Sequence, residues 1–206
     1  MTGLALHVVV ARGTASGRLA IMLTGDGGWA AIDKQLADSF AAHGTPVVAL
    51  DSRSYFSKQR DADGAARDLS RIARYYLASL GGERLVLVGY SRGADVLPFM
   101  ASRLTTDLLV RVELIALLGP APNANFKFHL IDLVSNRHRA DDRMTVPEIE
   151  KLYGKKILCF YGADEKESAC PALDSTKAVV VRMPGGHHFG KEYGAIGARI
   201  VEALSN

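Results

Sequence analysis

Short apolar and β-branched runs alternate along the chain with longer stretches whose apolar residues recur every three or four positions. This order predicts a mostly parallel sheet covered by helices on both faces. The strand-like runs are Leu4–Val10, Arg18–Thr24, Pro46–Leu50, Arg84–Gly89, Val112–Leu118, Lys156–Tyr161 and Ala178–Met183. Leu85-Val86-Leu87-Val88 and Val179-Val180-Val181 are continuous apolar runs, as central strands buried on both faces require. Helical periodicity covers Ala31–His43, with Ile32, Leu36 and Phe40 on one face. It covers Ala65–Leu80 with Leu69, Ile72, Ala73 and Tyr76 aligned, ending at Gly81-Gly82 as a C-cap. Further helices are predicted from Ser91 to Arg103 and from about Lys191 to Leu204.

The stretch from about 120 to 150 breaks the rhythm with prolines, asparagines and an Arg137-His138-Arg139 cluster before Asp141-Asp142. It leaves the sheet after a strand, on the side where α/β proteins bind ligands, and is expected to form a small lid or lip. At 206 residues the chain is expected to form a single domain. A net charge of +3 is too small and scattered to argue for nucleic acid. No apolar run approaches the ~20 residues that cross a bilayer. The first residues lead into a strand without a signal-peptide pattern, which alone would point to the cytoplasm.

The chemistry centres on Gly89-Tyr90-Ser91-Arg92-Gly93, a Gly-x-Ser-x-Gly pattern directly after a strand and directly before a helix. That context is what a nucleophile elbow needs, presenting the Ser91 oxygen at a helix N-terminus. A serine nucleophile needs a base and the base an orienting acid, in the chain order Ser, acid, His. Asp164, in the turn after the strand ending at Tyr161, is the expected acid; Glu165 and Glu167 are nearby competitors, expected instead to form a solvated acidic turn. The base is His187 or His188, in Pro184-Gly185-Gly186-His187-His188-Phe189, and the sequence barely separates them. His7, His43, His129 and His138 are expected to be surface or packing residues, and no metal-ligand spacing or cofactor motif is present. The oxyanion hole is expected from the backbone N–H groups of Arg92 and of Asp26, the latter in the loop Thr24-Gly25-Asp26-Gly27-Gly28-Trp29. Cys159 and Cys170 bracket the acid turn and, in an oxidising compartment, are expected to form a disulfide.

These residues resemble a specific family. The Leu23–Trp29 loop, Asp33-Lys34-Gln35, Asp51-Ser52-Arg53-Ser54-Tyr55-Phe56, the elbow extended to Asp95-Val96-Leu97-Pro98 and the Pro184–Phe189 turn are similar to the VirJ/AcvB family of bacterial virulence-associated proteins. The likeness covers nearly the whole chain, which looks like one VirJ domain, such as the C-terminal part of a longer AcvB-like protein. It implies the α/β-hydrolase fold, a periplasmic location with the export signal outside this chain, and hydrolysis of aminoacyl-phosphatidylglycerol at the membrane surface. Lysine or alanine would be the amino acid released. The cationic amine of such a substrate would need acidic neighbours, for which Asp26, Asp95 and Glu165 are candidates; Trp29 is a further candidate contact. Arg92 departs from an apolar or aromatic residue at this place, and its side chain would reach the substrate phosphate or lie on the surface. The alternatives are a general carboxylesterase or thioesterase, and a non-catalytic partner of a secretion or virulence system. A monomer is expected.

Overall fold

The computed structural model of the protein describes residues 3–126 and 143–205. In chain order the elements are β1 (Leu6–Val9), β2 (Arg18–Leu23), α1 (Ala31–Ala42), β3 (Val47–Leu50), α2 (Ser52–Tyr55), α3 (Ala62–Leu80), β4 (Arg84–Tyr90) and α4 (Arg92–Ala101). They continue with α5 (Thr106–Leu109), β5 (Val112–Leu118), β6 (Asn123–Ala124), β7 (Arg143–Met144), α6 (Thr145–Glu150), β8 (Lys156–Gly162), β9 (Val179–Met183) and α7 (Tyr193–Ala203). Seven strands form one sheet in the order β1-β3-β2-β4-β5-β8-β9. Only β1 runs antiparallel, against β3; every other pairing in this sheet is parallel. Parallel neighbours need crossover helices, and those helices bury both faces of the sheet.

Alternation along each strand sorts the core into two layers. Leu19, Ile21 and Leu23 of β2, with Leu85 and Leu87 of β4, pack with Leu69 and Ile72 of α3 and Leu97 of α4. Ala20 and Met22, with Val86 and Val88, face the other way onto Leu36 and Phe40 of α1 and Ile196 and Ile200 of α7. All of these side chains are buried. At ~1.5–3 kcal/mol for each large apolar side chain taken from water, these layers are the main stabilising term of the fold.

The predicted elements all appear, with shifted ends. Helix α3 starts a turn earlier than its apolar periodicity, because the Asp61 side chain accepts the Gly64 N–H (2.6 Å) and caps an extra turn. It ends at Gly81, whose φ of 73° is the left-handed C-cap that the sequence predicts. The proposed lip is described only at its edges. There β6 pairs with β7 and leads into α6, while residues 127–142, with His129, His138 and the Arg137-His138-Arg139 cluster, lie outside the described residues.

Cys159 of β8 and Cys170 form a disulfide with Cα atoms 5.5 Å apart, across a sequence separation of 11. Both are fully buried. Closing a loop of this size in the unfolded chain stabilises the fold by about 3 kcal/mol in the chain-entropy account. The bridge also ties both ends of the segment that carries Asp164 and Glu165 to the sheet.

Candidate active site

The strands end together at one edge of the sheet, and the turns that follow them build the site. Ser91 falls between β4 and α4 as the N-cap of that helix, at φ 52° and ψ −123°. A non-glycine residue there is strained by ~1–3 kcal/mol and persists only where its surroundings hold it. They do so through two glycines. A Cβ on Gly89 would lie 2.5 Å from the Gly93 oxygen, and one on Gly93 would lie 2.1 Å from the Leu23 oxygen. The Gly-x-Ser-x-Gly pattern therefore marks backbone contact on both sides of Ser91. The Ser91 N–H donates to the Leu118 carbonyl (2.8 Å), joining the elbow to the end of β5.

His187 is the histidine that faces Ser91. Its Nε2 lies 2.8 Å from Ser91 Oγ and its Nδ1 lies 2.5 Å from Glu165 Oε1. The space for the ring comes from Gly119, directly after β5, where a Cβ would sit 2.8 Å from His187 Cε1. Tyr90 stacks on the same ring, with centroids 5.6 Å apart and planes 27° from parallel. His188 is turned to the surface, and its Nδ1 lies 2.8 Å from the Tyr90 hydroxyl.

The acid on His187 is Glu165, which corrects the expectation of Asp164. Asp164 is exposed; its N–H is bound by the Gly185 carbonyl (2.9 Å), and no side-chain bond links it to His187. Glu165 stands one residue further round the turn and is one methylene longer, so its carboxylate folds back beneath the imidazole. Its Oε2 accepts the Gly162 N–H (3.1 Å), and its side chain is only 8% exposed. Glu165 is thus not a solvated turn residue, and its charge is committed to His187.

Burial alone would pull the His187 pKa down. The Glu165 hydrogen bond and charge, with Asp95 and Asp26 nearby, outweigh it and hold the imidazole above its ordinary value. A base works only when unprotonated, so activity is lost as pH falls through this raised pKa. We expect the acid limb of kcat/KM to have its midpoint above ~6.5. Glu165→Gln removes the raising influence and should move that midpoint down; an unmoved limb would dissociate it from His187.

The loop after β2 supplies the other wall. A Cβ on Gly25 would come within 3.2 Å of Ser91 Cβ, so the Gly25–Asp26 backbone passes directly over the nucleophile. The Asp26 N–H bonds to no described residue, which suits the expected oxyanion donor. Buried Asp33 braces the same loop by accepting the Ala30 N–H (3.0 Å).

The side chains of the two expected oxyanion residues find each other. The Arg92 guanidinium forms a close ion pair through Nε with Asp26 Oδ1, and its Nη1 donates to the Asn125 carbonyl (2.9 Å). Arg92 is buried, so it does not lie on the surface as one of the two expectations had it. Nor is the Asp26 carboxylate an uncompensated charge. Trp29 stacks on His7, with centroids 4.9 Å apart, and makes no ring contact or hydrogen bond with the Ser91 group. Asp95, one turn into α4, accepts the Ala121 N–H (2.7 Å) in the loop beyond Gly119.

A serine hydroxyl under a histidine, with a carboxylate behind the histidine and the Asp26 N–H in the loop overhead, can carry out acyl transfer. The fold and this arrangement define a protein of the α/β-hydrolase class. Solved structures of that fold superpose on the chain at low identity. Est1E from Butyrivibrio proteoclasticus matches with a TM-score of 0.71 at 13% identity, over 100% of this chain and 97% of its own. XC6422 from Xanthomonas campestris, an α/β serine hydrolase without lid, matches at 0.63 and 16% identity, over 97% and 87% of the two chains. An α/β serine hydrolase homologue from Coxiella burnetii matches at 0.67 and 15%, over 97% and 90%. No curated protein matches the chain in sequence. The family model described as Bacterial virulence protein (VirJ) matches residues 17–206, and the chain belongs to that family.

Proposed function

We propose that the protein is a serine ester hydrolase that removes the aminoacyl group from aminoacylated phosphatidylglycerol, releasing the free amino acid. The observation that carries the hydrolase reading is the continuous hydrogen-bonded line from Glu165 through His187 to Ser91 at a strained elbow. A non-catalytic partner would need none of these groups, which favours the enzyme over a pure binding role. The substrate rests on VirJ family membership and on the carboxylate of Asp95 close to the Ser91–His187 pair, which suits a cationic acyl group. Arg143 and the exposed Met144, on β7 close to Asn125, offer a basic and an apolar group to an anionic bilayer. The disulfide and the family are compatible with the periplasm, where we place the protein.

The steps follow from the geometry. Ser91 Oγ attacks the ester carbonyl while His187 Nε2 takes its proton, and Glu165 holds Nδ1 protonated and stabilises the imidazolium. The N–H groups of Asp26 and Arg92 stabilise the tetrahedral oxyanion by typically about 3 kcal/mol per donor. The imidazolium then protonates the departing glycerol oxygen, and water, deprotonated by the same histidine, releases the amino acid. The test is release of free lysine or alanine from lysyl- and alanyl-phosphatidylglycerol in detergent micelles. Release by the wild type and none by Ser91→Ala supports the reading; no release from either lipid by folded wild type overturns the substrate.

A further inference from the structure

Of the acidic groups beside Ser91, two are already committed. Glu165 bonds His187 and the Gly162 N–H, and Asp26 is paired with the Arg92 guanidinium. Asp95 is different. One oxygen accepts the Ala121 N–H, no described residue bonds the other, and the residue keeps some exposure. It stands four residues, about 6 Å along the helix axis, beyond Ser91. Its own N–H donates to the Ser91 carbonyl (3.0 Å). Side chains on a helix tilt toward its N-terminus, which directs the carboxylate back to the Ser91 end. The Ala121 bond anchors it in the same loop whose Gly119 touches His187.

From this placement we infer that Asp95 is the specificity residue that receives the α-ammonium of the acyl group, on the carbon next to the attacked carbonyl. The inference deepens the proposed aminoacyl-ester activity and rests on it for the acyl group, though not for the lipid. An anchor this close to Ser91 reaches the α-amine of any aminoacyl ester. It does not reach an ammonium at the far end of a lysyl side chain held in the same pose. Selection is therefore for a free α-amino group and is tolerant of the side chain. Burial pushes the Asp95 carboxyl up to about 7, although the Ala121 N–H and the charges of Arg92 and His187 pull it down. A bound ammonium would favour its ionised form and be favoured in return.

The test compares alanine p-nitrophenyl ester with p-nitrophenyl propionate, which differ by the amine, each normalised to its rate with hydroxide. At about pH 7 a large share of an α-amino group, ordinarily near 7.7–8.0, is protonated. Wild type should favour the alanyl ester. Asp95→Asn keeps an acceptor for the Ala121 N–H and should lower kcat/KM on that ester by about 30- to 100-fold, as expected when one partner of a buried charge pair is removed. The loss on the propionyl ester should be at least ~10-fold smaller. Labelling of Ser91 by a neutral fluorophosphonate reports whether the triad of the variant is intact. Equal losses on both esters, no loss on either, or a wild type indifferent to the amine would each overturn the inference. Because the esters are soluble, a failure to cleave aminoacyl lipid leaves this result readable, and the two proposals fail separately.

Discussion

His187→Ala is expected to lower kcat by about a million-fold, and His188→Ala by less than about tenfold, in any ester assay of the protein. The two residues are neighbours in sequence and their rings are 5.8 Å apart, but only one meets the nucleophile. His187 Nε2 is 2.8 Å from Ser91 Oγ, and removing the imidazole leaves the hydroxyl with no group to take its proton. His188 is exposed and its ring nitrogen bonds the Tyr90 hydroxyl. Its loss frees that hydroxyl but leaves the Tyr90 ring stacked on His187. Comparable losses in both variants would mean that the imidazoles exchange roles, which this geometry does not permit.

Glu165→Gln is expected to cost about 10,000-fold in kcat, with Asp164→Asn staying within about threefold of wild type. A glutamine amide keeps the size of Glu165 but presents no negative charge, and it can turn an N–H toward His187 Nδ1. The imidazole would then favour the tautomer with its proton on Nε2, facing Ser91, and act as base only in the small remaining fraction. Asp164 is exposed at the other side of the turn and has no part in this line. Steady-state rates of the two variants, measured above the acid limb, decide between the carboxylates. The opposite ranking would return the role to Asp164.

The sheet was legible because its central strands are apolar on both faces, a pattern that few other elements share. The elbow at Ser91 was legible because two glycines and a serine must sit between a strand and a helix, and each of those glycines proves to touch backbone. The acid was missed by one residue. Asp164 and Glu165 occupy one tight turn, and which carboxylate folds under His187 depends on chain direction within the turn and on one methylene. Sequence spacing encodes neither. The choice between His187 and His188 was open for the same reason, and the telling signal was remote: Gly119, whose missing side chain leaves room for the His187 ring. The pairing of Arg92 with Asp26 joins residues far apart in the chain and has no local signature. It removes Asp26 as the expected free carboxylate and leaves Asp95 in that place. The short elements α2, α5 and α6 carry too few residues for a periodicity to show.

Covalent labelling of the folded protein by a fluorophosphonate, with the modified peptide located by mass, asks directly whether Ser91 is the nucleophile. A single adduct on Ser91 is expected, formed rapidly by wild type and Asp164→Asn and lost or greatly slowed in His187→Ala and Glu165→Gln. No adduct on folded wild type, or an adduct on Ser91 that forms equally fast without His187, would contradict that expectation.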